Sequence, residues 1–438
     1  MFVRRIAVIG SGYVGLTTGA CLASLGHRVV CADLDAAKVD QLSRGVVSIL
    51  EPGLSELVAQ GLAAGRLRFV SSAAEAVGTG AEAAEVMFLC VPTPMGDGGA
   101  ADLAAVESVV AEVRDRLASG CVVVNKSTVP VGTAARTAQL LDRADIPVVS
   151  NPEFLREGSA VEDFLTPDRI VVGCDAQDAA ERVAALYARL GAPTVLTDAA
   201  SAEMVKYAAN CFLAMKLSYV NAVAELCERL GADVSDVTEG IGYDRRIGQA
   251  FLQPGPGWGG SCLPKDTHAL LQVASEAEFD FALLRASLET NTRQQARMVD
   301  KVRDAVGGSL EGRRVGLLGL TFKAGTDDLR DSPALAVAEL LAAEGADLIG
   351  YDPGVRAAVP GMTDALQVAD DPLKVASGAA ALVVLTEWPE FRVLDWGRLA
   401  ELVERRLVID TRNLLDADVL RRVGFEVRGV GRPPVPGR

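Results

Sequence analysis

Eight cysteines stand at positions 21, 31, 90, 121, 174, 211, 227 and 262, and one of them has surroundings suited to chemistry. Cys262 lies in Gly257-Trp258-Gly259-Gly260-Ser261-Cys262-Leu263-Pro264-Lys265-Asp266, a polar, glycine-rich loop leading to a proline suited to the first position of a helix. A helix N-terminus and the adjacent Lys265 both favour the thiolate, so Cys262 is a candidate nucleophile. Asp266 opposes that charge but can hold Lys265 or a water. The other cysteines lie mostly in apolar segments, where a thiol is a small buried hydrophobe. No two cysteines form a CxxC pair, which excludes zinc-ribbon and thioredoxin-like chemistry.

A second constellation is Lys206 with Asn210, four residues apart and so on one face of a helix. Eight of the 43 basic residues are lysines and the rest are arginines, so each lysine raises the question of what an ammonium does that a guanidinium would not. Together the ammonium and the amide suit a developing oxyanion and a sugar hydroxyl. Asn151-Pro152-Glu153-Phe154-Leu155-Arg156-Glu157-Gly158 puts two carboxylates just past a strand, and Asn125-Lys126-Ser127-Thr128-Val129-Pro130 puts hydroxyls past another. Farther on, Lys323 follows a strand in Gly319-Leu320-Thr321-Phe322-Lys323, and Arg330 ends Asp327-Asp328-Leu329-Arg330. Both cations suit phosphate, although Arg330 can pair with Asp327 or Asp331. Only two histidines occur, which all but removes His-dependent triads and metal sites.

The elements that must carry these residues are legible as alternation. Ile6–Ile9 is a β-branched run followed by Gly10-Ser11-Gly12-Tyr13-Val14-Gly15, a helix to about Leu25, and a strand over Arg28–Ala32 ending at Asp33. The glycines admit a pyrophosphate at the helix N-terminus. Asp33 accepts hydrogen bonds from ribose hydroxyls and repels a 2′-phosphate, which favours NAD over NADP. Further strands are expected at Val86–Val91, Cys121–Lys126 and Pro147–Ser150, with a helix at Leu103–Leu117, giving a largely parallel sheet covered by helices. Ser201–Leu230 is one long helix without Pro or Gly, suited to an inter-domain spine or a dimer interface. Helices continue to about Val306. A second α/β region follows, with strands at Arg314–Leu318, Asp347–Tyr351, Ala380–Leu385 and Leu407–Asp410, a helix at Ala334–Glu344, and a Pro/Gly-rich tail after Gly429.

The 438 residues allow about three domains. A 50% hydrophobic composition excludes a disordered chain, and no apolar run reaches the roughly 18 residues of a membrane span. A net charge of −15 argues against nucleic acid or an anionic membrane as partner. The start of the chain has a basic pair and an apolar stretch, but three glycines interrupt it. A cytoplasmic, reduced protein is expected.

Taken together, GSGYVG, STVPVGT, NPEFLREG, the Lys206/Asn210 helix, GGSCLPKD and GLTFKAGTDDLRDSP resemble the UDP-glucose/GDP-mannose dehydrogenase family across essentially the whole chain. GGSCLPKD and NPEFLREG are its specific motifs. The resemblance implies two Rossmann-like α/β domains joined by a long central helix and a helical middle, divided as an NAD-binding domain at 1–200, a dimerisation domain at 201–306 and a nucleotide-sugar domain at 307–438. It implies two successive oxidations of a sugar C6 alcohol to a carboxylate, with two NAD consumed and a thiohemiacetal and thioester formed on Cys262. Lys206 with Asn210 would stabilise oxyanions, Asp266 and Thr128 would position a proton-carrying water, and Glu153 would activate the hydrolytic water.

The positions matching the family's cofactor contacts are Gly10, Gly12, Val14, Gly15, Asp33, Lys38, Thr93, Thr128, Glu157, Lys265 and Arg330. Those matching its substrate contacts are Glu153, Phe154, Leu155, Arg156, Glu157, Lys206, Asn210, Phe251, Leu252, Gln253, Pro254, Gly255, Gly259 and Lys323. Arg246 would reach the substrate of a neighbouring subunit in a homodimer. No metal is implied. The Phe251-to-Cys262 spacing favours UDP-glucose over GDP-mannose, and GGSCLPKD disfavours a UDP-N-acetylhexosamine. The chain retains Cys262, Lys206 and Asn210, which a non-catalytic NAD-binding relative would be expected to lose.

Overall fold

A computed structural model describes residues 3–96, 99–359 and 361–433. By packing, the chain forms two compact units, one of Met1–Ala209 with His268–Phe279 and one of Asn210–Thr267 with Asp280–Arg438.

The first unit is built on eight strands: β1 (Arg5–Ile9), β2 (Arg28–Ala32), β3 (Leu67–Val70), β4 (Val86–Leu89), β5 (Val122–Asn125), β6 (Val148–Ser150), β7 (Ile170–Gly173) and β8 (Thr194–Thr197). Their order is β3-β2-β1-β4-β5-β6-β7-β8, parallel except where β7 meets β6 at Ser150 and Gly173. Every residue of β4 and β5 is buried, as continuous apolar strands with helices on both faces must be. The chain reverses its direction of sheet growth between β1 and β4, and the strand ends there open the crevice in which such sheets bind ligands. The strand expected to reach Val91 stops at Leu89, before Pro92 and Pro94, which cannot donate to a ladder.

The second unit carries β9 (Arg314–Leu318), β10 (Asp347–Tyr351), β11 (Leu366–Val368), β12 (Ala381–Val384), β13 (Leu407–Asp410) and β14 (Glu426–Gly429). They form an all-parallel sheet in the order β11-β10-β9-β12-β13-β14. Both α/β regions therefore have the Rossmann-like layout. The long helix runs from Ala199 to Leu230, about 48 Å at 1.5 Å per residue. It buries Ala224 and Cys227 in the second unit's core but leaves Phe212, Tyr219 and Leu226 exposed at seven-residue intervals. Three further helices, Val234–Gly242, Leu263–Glu276 and Ala282–Val306, complete the described helical middle. Among the described residues no helix is long and apolar enough to cross a membrane.

Candidate active site

In the first unit, the turn after β1 fits a dinucleotide by its shape. Gly12 begins the helix Tyr13–Ser24 without a side-chain cap, and a Cβ placed on it would meet nothing within 4 Å. The neighbouring backbone is tight: a Cβ on Gly15 would lie 1.8 Å from the Gly10 carbonyl oxygen. Side chains are thus excluded where the turn closes, and open space lies beside uncapped helix amides, a cradle for an anion. Asp33, just past β2, accepts from the Ser11 amide at 3.0 Å and from Lys38 Nζ at 3.0 Å. Burial pulls its carboxyl upward, but the Asp35 and Ser11 amides and Lys38 outweigh this and hold it below the usual range. Val14 packs partly buried against the core behind this turn. Thr93 Oγ1 donates to the Thr128 carbonyl at 2.8 Å, which ties the chain leaving β4 to the chain leaving β5.

The ends of β5 and β6 bring together several buried ionic and amide groups. Lys206 Nζ lies 2.9 Å from Glu153 Oε1, with side chains 4% and 6% exposed. Glu153 also accepts from the Leu155 amide at 2.5 Å. Burial would raise the Glu153 carboxyl, but the Lys206 charge and hydrogen bond, the Leu155 amide and the Lys126 charge together bring it below its ordinary value. Lys206 and Thr128 line a water-sized cavity of about 10 Å³ with Asn125, Ser127, Ser150 and Glu203. Asn125 is buried there, and among the described residues neither amide atom finds a hydrogen-bond partner. Of the remaining NPEFLREG positions, Phe154 has two cations near its ring, Arg169 at 3.6 Å and Lys206 Nζ at 5.4 Å from its centre. Leu155 and Glu157 are half-buried, and Arg156 is exposed and paired with Asp163 at 2.5 Å.

In the second unit, Cys262 immediately precedes the helix Leu263–Glu276, its carbonyl accepting from the Asp266 amide at 2.9 Å. It and Cys174 are the two cysteines that are not buried. Burial drives the thiols of Cys21, Cys90, Cys121 and Cys211 up to about 12, leaving them inert. Asp266, fully buried, accepts from Asn210 Nδ2 at 2.6 Å and from Lys265 Nζ at 2.6 Å.

Lys206 and Asn210, one helical turn apart, each donate to a carboxylate, Lys206 to Glu153 and Asn210 to Asp266. Four residues advance a helix by about 6 Å and turn it about 40° past one revolution, enough to meet different neighbours.

The glycine-rich loop is set by long-range hydrogen bonds. Asn221 Oδ1 accepts from the Gly255 amide at 2.9 Å, Gln294 donates to the Gly255 carbonyl at 2.7 Å, and Asn291 both accepts from and donates to the Trp258 backbone. A Cβ on Gly259 would lie 1.9 Å from the Asp331 carbonyl, so only glycine fits. Phe251 has a left-handed φ of 61°, strained for an aromatic residue, while Leu252 and Pro254 are buried and Gln253 is exposed. Lys323 Nζ lies 5.5 Å from the Phe322 ring centre. Arg330 pairs with Asp328, which also accepts its backbone amide in a tight local turn. Arg246 is exposed and paired with Asp244.

Models of three domains match the chain in series: the NAD binding domain of the UDP-glucose/GDP-mannose dehydrogenase family at 4–191, its central domain at 200–293 and its UDP binding domain at 316–417. The chain belongs to the UDP-glucose/GDP-mannose dehydrogenase family. A UDP-glucose 6-dehydrogenase of Rhizobium meliloti is 45% identical over 98% of this chain and 100% of its own length. Among solved structures, a UDP-glucose dehydrogenase of Pyrobaculum islandicum has a TM-score of 0.87 and 36% identity, covering 99% of this chain and 98% of its own. A UDP-D-ManNAc dehydrogenase of Pyrococcus horikoshii has the same TM-score at 31% identity, covering 98% and 99%. The fold is thus common to enzymes of different sugars.

As a UDP-glucose/GDP-mannose dehydrogenase, the protein is an NAD-dependent oxidoreductase, and its first unit has the glycine cradle and the Asp33 carboxylate such a cofactor needs. Several supporting residues of this dehydrogenase escape a sequence reading. Glu51 accepts from the Gly158 amide at 2.8 Å and from the Tyr13 hydroxyl, tethering the NPEFLREG segment to the first helix. Glu203 accepts from the Gly132 and Ala134 amides at 2.7 and 2.8 Å and so caps the helix Thr133–Leu141. Arg412 donates to the Leu385 carbonyl beside the Gly255 turn. Their signal is a polar residue on an apolar helix or strand end, a pattern that names no partner. Among the described residues no three His, Cys, Asp or Glu gather as a metal site.

Proposed function

We propose that this dehydrogenase oxidises UDP-glucose to UDP-glucuronate in two NAD-dependent steps through a covalent intermediate on Cys262. The observation that carries the reading is the part-exposed Cys262 thiol at a helix start in GGSCLPKD. The choice of sugar rests on the UDP-glucose 6-dehydrogenases related to the chain over nearly its full length.

Bound NAD supplies the hydride acceptor; the rest is done by this chain. The C6 alcohol first loses a hydride and a proton to become an aldehyde. The Cys262 thiolate then adds to the carbonyl carbon, forming a C–S bond, and Lys206 and Asn210 balance the alkoxide charge. Loss of a second hydride leaves a thioester. Water then gives a proton to Glu153 and adds to the thioester carbon, after which the C–S bond breaks, Cys262 is released and the carboxylate leaves. Asp266 and Thr128 hold the proton-carrying water, which dispenses with a catalytic histidine. The cofactor contacts at 10, 12, 14, 15, 33, 38, 93, 128, 157, 265 and 330 and the substrate contacts at 153–157, 206, 210, 246, 251–255, 259 and 323 are those the family resemblance implies, within domains at 1–200, 201–306 and 307–438. The exposed stripe of Phe212, Tyr219 and Leu226 supports a homodimer through the central helix, with Arg246 lent across it. A cytoplasmic location and a place in polysaccharide precursor synthesis belong to the same proposal.

The test is incubation with NAD and UDP-glucose, GDP-mannose, UDP-N-acetylglucosamine or UDP-N-acetylmannosamine, following NADH. Two NADH per UDP-glucose, with the other sugars slow, is the expected result. Preference for an N-acetylated or GDP-linked sugar would overturn the substrate, and absence of NADH with all four would make the chain a non-catalytic NAD-binding protein.

A further inference from the structure

Lys126, the residue after β5, is a buried lysine that the assigned mechanism leaves without a task. An ammonium out of water is costly unless its charge is matched and its donors are used. Its Nζ donates to Asn151 Oδ1 at 3.2 Å, and the Tyr187 hydroxyl donates to the same oxygen at 2.6 Å. Asn151 Nδ2 donates in turn to the Val171 carbonyl of β7 at 2.7 Å, so the amide orientation is fixed from both ends. The Tyr187 ring lies 5.5 Å from Nζ, at cation–π distance. Asn151 is two residues before Glu153, on the same turn out of β6.

The charged and titratable groups around Lys126 are Glu153, Lys206, Cys90 and Tyr187. Burial pushes the Lys126 ammonium down to about 8, partly offset by Glu153, so it keeps its proton at neutral pH. Burial pushes the Cys90 thiol up to about 12 and the Tyr187 phenol higher still, so both are neutral there. Glu153 is therefore the anion that Lys126 serves, and Glu153 feels both lysines and the Arg169 guanidinium. The two cations differ in freedom. Lys206 is assigned to substrate oxyanions, and while it donates to one, its hold on Glu153 is divided.

We propose that Lys126, clamped by Asn151 and Tyr187, is a positioning residue that keeps Glu153 ionised as a proton acceptor while Lys206 serves the substrate. The catalytic consequence rests on the reading of Glu153 as the activator of the hydrolytic water; the charge coupling does not.

The full-length enzyme is titrated by infrared difference spectroscopy, reading the carboxylic-acid stretch that Glu153→Gln removes. In Lys126→Met and Lys126→Gln the band is expected at a pH about one unit or more above wild type, and in Lys126→Arg near wild type. A band unmoved in the neutral variants overturns the proposal. A reciprocal measurement covers the case in which they do not fold: the ¹⁵N titration of Lys126 Nζ in Glu153→Gln is expected to have a lower midpoint than in wild type, and an equal midpoint overturns the coupling. With the coupling present, the acid limb of kcat in Lys126→Met moves up with the band. Wild-type turnover by Glu153→Gln would defeat the water-activating role while leaving the coupling to be read from the two titrations.

Discussion

Lys206 and Glu153 form an ion pair at 2.9 Å with almost no access to solvent, although 53 residues separate them. A pair like this is a weak source of net stability, because desolvation consumes most of the attraction, but it is costly to break from one side. In the proposed mechanism its two members are the proton acceptor and the oxyanion donor.

Lys206→Met leaves the Glu153 carboxylate buried with Lys126, Arg169 and the Leu155 amide to compensate it. The expected loss is about 3 kcal/mol, read by chemical denaturation, with most of it recovered in Lys206→Met/Glu153→Gln. In kinetics, Lys206→Ala is expected to lower kcat by about 10² to 10³ with little change in KM. Lys323→Ala is expected to act mainly on KM, and the opposite pattern would move the oxyanion role elsewhere.

Glu153 titrates below its ordinary value in the folded protein, so its contribution to stability is present above the unfolded carboxylate value and is lost as pH falls through the folded one. Wild type is therefore expected to lose stability relative to Glu153→Gln on acidification. Parallel curves of denaturation midpoint against pH would show that the carboxylate is not held by the lysines.

Cys262→Ser replaces a thiolate at a helix start with a hydroxyl that ionises far less readily. Uronate formation is expected to fall to a small fraction of wild type with nucleotide-sugar binding retained, measured by product chromatography and calorimetry. Wild-type product formation would exclude covalent catalysis through this sulfur.

Asp33 holds its charge beside the Ser11 amide and Lys38, where a 2′-phosphate would bring a second anion. A preference for NAD over NADP in kcat/KM is expected, and it should narrow in Asp33→Ala as NAD loses a partner and NADP loses a repulsion. Equal kcat/KM for the two cofactors in wild type would place Asp33 away from the ribose.

The features legible in the sequence are those whose physics is local. Apolar β-branched runs that end in glycine-rich turns define strand ends, which is why Gly10, Asp33, Thr128 and Glu153 fall at the mouths of strands on the residue pattern alone. The Cys262 loop is legible because glycine, proline and a lone polar cysteine have few other uses together. What only the tertiary structure decides is partnership. Whether Lys206 and Asn210 serve one acceptor or two, whether Arg330 meets Asp327, Asp328 or Asp331, and that Lys126, Asn151 and Tyr187 close into one buried cluster depend on which segments pack together. Asn221, Asn291 and Gln294 read as ordinary polar residues on helices until the loop they clamp is folded against them. Local propensity sets the backbone of each segment, but a buried polar group must find its partner wherever packing leaves one, often far away along the chain.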